Sequence, residues 1–142
     1  MKDLRDTRSL LFVPGNRPER FAKAASSGAD GVCIDLEDAV APRDRAAART
    51  RVLAFLQDQP AGHAFGLRVS ALGTADGQFD LAALRESNAK PAFVMLAKCE
   101  SAQQLQSLAE AAAGVPLIAL LESACAILAA TSLAQATSKS MP

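Results

Sequence analysis

Five short apolar runs punctuate the chain: Ser9 to Val13, Gly31 to Leu36, Phe65 to Ser70, Ala92 to Ala97 and Pro116 to Leu121. Between them lie four longer stretches, Arg17 to Gly28, Arg43 to Gln59, Gln78 to Ser87 and Ser101 to Ala113, in which apolar residues recur three and four apart with polar residues opposite. The first pattern predicts buried strands and the second amphipathic helices. Pro18 near the start of one helical stretch, Gly28 after it and Pro42 before the next are the start and stop marks that such helices use. Strands and helices alternating in this order predict an α/β fold whose sheet is parallel, with right-handed crossovers.

An open doubly wound sheet and a closed barrel both satisfy that order. The runs start at residues 9, 31, 65, 92 and 116. That is roughly 27 residues per unit, so eight units need roughly 215, within the range of a (β/α)8 barrel of the TIM type. Pro14, Gly15, Asn16 and Arg17 stand after the first run, where a dinucleotide-binding fold would place its G-x-G-x-x-G turn. The expectation is therefore a TIM-barrel type fold truncated after about five β/α units, with residues 1–130 forming the partial barrel. The last stretch, Thr131 to Pro142, is rich in Ser, Thr, Gln and Lys. It is expected to fray, to be disordered, or to be a non-native tail.

Half of the 142 residues are apolar, enough for a sizeable core, and 15 basic residues balance 15 acidic ones. That balance gives no electrostatic reason to expect nucleic acid or an anionic membrane as partner. Leu10 to Val13 is far too short to span a bilayer, and no signal-type apolar region follows the charged amino terminus. A soluble cytoplasmic protein is expected. Cys33, Cys99 and Cys125 are widely spaced beside apolar segments and read as reduced thiols that pack as small hydrophobes.

Chemistry in a parallel barrel gathers at the carboxyl ends of the strands, and the polar residues of this chain fall there. The first run ends in Pro14 and Gly15, the second in Asp35, Glu37 and Asp38, the third in Arg68 and Ser70, the fourth in Lys98 and Glu100, and the fifth in Glu122. Strand alternation sends Cys33, Asp35 and Glu37 toward the axis, and assigns one face each to Gly66, Arg68 and Ser70, to Val94, Leu96 and Lys98, and to Ile118, Leu120 and Glu122. Asp35 and Lys98 also suit a structural ion-pair ring. Arg68 interrupts an apolar strand and carries the planar fork best matched to a carboxylate. Glu122 follows an apolar run without a basic neighbour, which suits a carboxylate meant for a cation. His63, the single histidine, precedes the third strand and reads as a surface residue, Met95 as core, and the mixed charges of Arg43 to Arg51 as the solvated face of a helix.

The segments Arg8-Ser9-Leu10-Leu11-Phe12-Val13-Pro14-Gly15, Arg17-Pro18-Glu19-Arg20 and Asp35-Leu36-Glu37-Asp38-Ala39-Val40 closely resemble the opening of citrate lyase β-subunit-like proteins, of the HpcH/HpaI aldolase/citrate lyase family. The resemblance continues through Leu67-Arg68-Val69-Ser70, Met95-Leu96-Ala97-Lys98-Cys99-Glu100-Ser101 and Pro116 to Ala124, and covers roughly Arg8 to Ala130. It implies a magnesium-dependent carbon–carbon lyase acting on a 3-hydroxyacyl-CoA thioester or a related 2-oxo or hydroxy acid. On that reading Arg68 holds the substrate carboxylate. Glu122 is one of two protein ligands of Mg2+, which polarises the carbonyl and stabilises the enolate. Glu37, Asp38, Lys98 and Asp35 position these groups, and Pro14 and Gly15 touch the CoA portion. The family's second magnesium carboxylate follows a sixth strand, and Ser70 stands where the family has Asn; the chain as given is therefore expected to be inactive by itself. The partners implied are small molecules, in a homo-oligomer. Two rival readings use the same residues: an acyl-CoA thioesterase on this scaffold, and a non-catalytic barrel fragment that functions only by association.

Overall fold

A computed structural model describes residues 4–138. The strands are β1 (Leu10–Pro14), β2 (Gly31–Asp35), β3 (Phe65–Val69), β4 (Val94–Leu96) and β5 (Leu117–Ala119). All four pairings are parallel and the spatial order is β1-β2-β3-β4-β5. A doubly wound sheet reverses its strand order near the first strand; here each strand lies beside its predecessor, as in a barrel wall.

The helices are α1 (Phe21–Ala25), α2 (Pro42–Gln57), α3 (Ala75–Glu86), α4 (Ala102–Ala112), α5 (Ala124–Leu128) and α6 (Ala130–Ser138). Local chemistry sets several of these ends. Pro42 stands in the first turn of α2, where its missing N–H is not needed. The Thr74 hydroxyl accepts from the Gly77 N–H and starts α3 three residues before the periodic pattern does. Ser101 and Gln104 form a reciprocal capping box on α4. The expected first helix is broken into a 3-10 turn, Pro18–Arg20, and the five residues of α1, and the chain then turns through Gly28 at φ 85°.

Two hydrophobic layers flank the sheet. On one face Val32, Ile34, Leu36, Leu67, Val69, Val94 and Leu96 join Val52 and Leu56 of α2, Leu81 and Leu84 of α3, and Leu105 and Leu108 of α4. The other face is lined by Cys33, Phe93 and Met95, with Leu10, Ile118 and Leu120 against them. All helices that contribute to the core cover the first face, so the second is the barrel axis side. Val94 and Leu96 thus point to the helices, contrary to the face assigned to them from Lys98. The alternation argument failed there because β4 ends at Leu96 and the chain reaches Lys98 through a left-handed residue, φ 49° at Lys98 itself.

The tail also differs from expectation. Residues 130–138 form α6, and Leu133, 2% exposed, belongs to the main core. Residues 139–142 of the expected tail lie outside the described residues. Among the described residues no helix is long and apolar enough to cross a membrane.

Candidate active site

The turn after β2 is organised by Asp35. Its Oδ1 accepts the Glu37 N–H at 2.8 Å and its Oδ2 the Ala39 N–H at 2.9 Å, so one carboxylate shapes the loop that carries Glu37 and Asp38. β3 places Arg68 directly beside it, in register with Asp35. Arg68 donates from Nε to Oδ1 at 2.7 Å and from Nη2 to Oδ2 at 2.6 Å, a fork-to-fork pair between side chains 12% and 1% exposed. Burial pushes the Asp35 carboxyl up, but the Arg68 fork and the two backbone N–H groups outweigh it and hold Asp35 below the usual carboxylate range. The Asp35 hydrogen bond in turn raises Arg68. The Phe12 ring of β1 lies under the guanidinium, its centroid 5.0 Å from Cζ.

Glu37 is the next link. Its side chain is 5% exposed; Oε1 accepts from Lys98 Nζ at 2.6 Å, while Oε2 faces Arg68 Nη1 at 3.5 Å. That second contact is an ion pair without a hydrogen bond, and Oε2 is left as a buried acceptor with no donor. Lys98 Nζ also lies 3.7 Å from the exposed Asp38. The hydrogen bond to Glu37, and then its charge, raise the Lys98 pKa. Lys98 holds its strained backbone with help from the next loop, since its N–H donates to Glu122 Oε1 at 3.0 Å. Asp35, Arg68, Glu37, Lys98 and Glu122 therefore form one continuous polar chain across the carboxyl ends of β2 to β5.

Two expected members stand apart from it. Gly15 is buried, its N–H donates to the Asp35 carbonyl at 2.8 Å, and a Cβ there would meet that same oxygen at 2.9 Å and Leu36 Cδ2 at 2.9 Å. It serves the close approach of the first turn to β2. Pro14 ends β1 in register with Asp35 and is partly exposed. Ser70 is turned aside as well; its Oγ donates to the Leu36 carbonyl at 3.4 Å. His63 lies far from this end of the sheet, bridging the Lys90 carbonyl and the Phe65 N–H at 3.0 Å each and so fixing the start of β3. Cys33 lines the axis side fully buried, where burial and then the Asp35 charge push its thiol up to about 12.

Sequence reading missed Phe12, although its register with Cys33 puts it on the axis face of β1. It also misjudged two charges of α2, although Arg43 and Arg51 are exposed as expected. Arg45 and Arg49 are not part of a solvated face: their side chains are 19% and 10% exposed and pair with Asp76 and Asp80 of α3. Spacing of four in both helices was the available signal.

The family model for HpcH/HpaI aldolase/citrate lyase matches residues 8–141. This chain belongs to that family. Among its relatives, a citrate lyase subunit beta-like protein of Mycobacterium tuberculosis is 43% identical over 127 residues, covering 89% of this chain and 42% of the relative. A (3S)-malyl-CoA thioesterase of Cereibacter sphaeroides is 34% identical over 128 residues, covering 89% and 44%. Among solved structures, the protein CitE from Mycobacterium tuberculosis in complex with magnesium, acetoacetate and coenzyme A superposes with a TM-score of 0.76 at 42% identity, over 94% of this chain and 46% of that one. The chain thus spans less than half the length of these family members. Its open five-stranded arc corresponds to part of their TIM-barrel-type fold.

Among the described residues no three His, Cys, Asp or Glu side chains stand close enough together to hold a metal. Magnesium, however, commonly takes one or two carboxylates and fills its octahedron with water and substrate. Glu122 is exposed, with its Oε1 on the Lys98 N–H, and suits a single carboxylate ligand.

Proposed function

We propose that the protein bearing this chain is a magnesium-dependent lyase that cleaves a carbon–carbon bond in a 3-hydroxyacyl-CoA ester or a related hydroxy acid. The observation that carries the reading is the polar chain itself: a locked guanidinium and an exposed carboxylate, joined through Glu37 and Lys98 at the carboxyl ends of parallel strands. Glu122 would hold the metal, and Arg68 the substrate's terminal carboxylate. Magnesium, when bound there, supplies positive charge for the oxygen that becomes the carbonyl of the released oxo acid.

The residues of this chain do the rest by position. Asp35 occupies Nε and Nη2 of Arg68 and Glu37 Oε2 stands 3.5 Å from Nη1, so a substrate carboxylate would meet the hydrogens left over on Nη1 and Nη2. The Phe12 ring covers one face of that plane, which confines the approach further. Lys98, whose proton is strengthened by Glu37, stays cationic and steadies the acidic loop beside the metal ligand. Glu37 Oε2, buried and lacking a donor, is placed to accept a hydrogen bond from a water or from the substrate hydroxyl. Pro14, at the rim beside Asp35, is the part of the first turn that a CoA portion can reach. A CoA thioester or oxo acid is the partner this reading requires, in a cytoplasmic homo-oligomer.

A second reading, thioester hydrolysis, is favoured by the 34% identity to the (3S)-malyl-CoA thioesterase. Products separate the two. Malyl-CoA or citramalyl-CoA given to protein expressed from the intact gene should yield an oxo acid and acetyl-CoA if the bond cut is carbon–carbon. Free CoA thiol and the intact hydroxy acid would establish the thioesterase instead. Turnover of neither kind, in protein folded by circular dichroism and given a panel of 3-hydroxyacyl-CoA esters and hydroxy acids, would overturn the lyase reading.

A further inference from the structure

Two arginines on α2 and two aspartates on α3 form a ladder behind the site. Arg45 Nη1 meets Asp76 Oδ2 at 2.8 Å, Arg49 Nη2 lies 3.6 Å from Asp76 Oδ1, and Arg49 Nε donates to Asp80 Oδ1 at 2.6 Å. The last pair is the most enclosed, with side chains 10% and 1% exposed. Such a pair is weak evidence for stability, because desolvation offsets much of the attraction. Its value lies in what the remaining donors and acceptors hold.

Both ends of the ladder grip backbone at the mouth. Asp80 Oδ2 accepts the Ser70 N–H at 2.9 Å, two residues after Arg68. Arg45 donates from Nε to the Val40 carbonyl at 3.1 Å and from Nη2 to the Glu37 carbonyl at 3.2 Å, on the loop that Asp35 shapes from within. The β2 and β3 loops are thereby clamped from the helix layer as well as from the axis side. Leu36, between them, donates to the Arg68 carbonyl at 3.0 Å and accepts from Ser70 Oγ.

We propose that Arg45, Arg49, Asp76 and Asp80 are positioning residues that fix the Arg68 fork on Asp35 by holding the Glu37 and Ser70 backbone. The proposal rests on the preceding reading only for the purpose of the fork; the clamp itself is independent of any activity. A set of side chains that merely joined α2 to α3 could be replaced by apolar residues without disturbing the mouth. A positioning set could not.

The test reads the fork directly. Arg68 Nε–H, buried and bonded to Asp35, should give a resolved, slowly exchanging resonance in nitrogen-15 NMR of this chain, assigned by its loss in Arg68→Lys. Asp80→Ala removes the Ser70 acceptor and the Arg49 partner together; the paired replacement Arg49→Met with Asp80→Leu keeps the interface packed if the single change fails to fold. In either folded variant, solvent exchange at Arg68 Nε–H and at the Ser70 amide should rise roughly tenfold or more, as expected for losing a hydrogen bond to a charged group. Asp80→Asn retains an acceptor for Ser70 and should recover part of the protection. Glu86→Gln, exposed at the end of α3 that lies away from the mouth, should change nothing. Unchanged exchange at Arg68 in the folded paired variant, with only the melting temperature altered, would overturn the proposal. A rise in exchange supports it even if oxo-acid binding never appears, in which case the functional reading fails and the clamp stands.

Discussion

The Arg68–Asp35 pair sets the terms for every other residue at the mouth. Asp35 accepts four hydrogen bonds, two from the guanidinium and two from its own loop. Because its pKa is lower in the folded chain than in the unfolded one, its stabilising contribution is complete above the unfolded value, about 3.9, and is lost as pH falls through the lowered folded value. Acid unfolding followed by circular dichroism should therefore show Asp35→Asn less stable than the parent at neutral pH, with the gap closing in strong acid; a constant gap would contradict this. Arg68→Lys should weaken oxo-acid binding by about tenfold or more, since one ammonium cannot hold Asp35 and a substrate carboxylate together; unchanged affinity in calorimetry would count against Arg68 as the partner of the substrate carboxylate. Arg68 was legible as a residue of the mouth because a charge inside an apolar strand is costly without a partner, and Glu37 and Lys98 by their places at strand ends, where an ion-pair ring was an equal reading for Lys98. Their mutual pairing was not, since which oxygen meets which nitrogen depends on loop turns such as the left-handed Lys98.

The alternation of strands and helices as far as β5 was legible, because the apolar runs are short, buried on both faces in β2 and β4, and separated by clear 3.6-period stretches. Ends were less so: Thr74 starts α3 by capping, outside any hydrophobic pattern, and α6 is held by Leu133 in a stretch whose Ser, Thr and Gln content masks the helix. β3 shows how one element joins core and site. Gly66 leaves room for the Phe93 ring on the axis side, two residues before Arg68, and a Cβ at Gly66 would lie within that ring. Gly66→Ala should cost about 1–3 kcal/mol through overpacking, read as a lower midpoint in urea, and should loosen Arg68 as β3 shifts. An unchanged midpoint would mean that Phe93 has space to move that the packing does not show.

At the scale of the whole molecule, the sheet is an arc with β1 and β5 at its edges, helices on its convex side, and one polar chain along its carboxyl rim. Strand order distinguishes this from a doubly wound sheet, and the family match over residues 8–141 agrees. The polar rim was legible as a set of strand-end residues. The clamp behind it was not, because Arg45 and Arg49 look like solvated helix charges until α3 is packed against them. In the proposed function Glu122 and Arg68 take metal and oxo acid as one unit. That pairing is tested most directly by calorimetric titration of oxaloacetate into protein expressed from the intact gene, with magnesium and with excess chelator, for the parent and for Glu122→Ala. Binding in the parent should require magnesium, and Glu122→Ala should abolish the magnesium-dependent part while remaining folded; equal binding by both proteins, indifferent to the chelator, would contradict the proposed roles of Glu122 and Arg68.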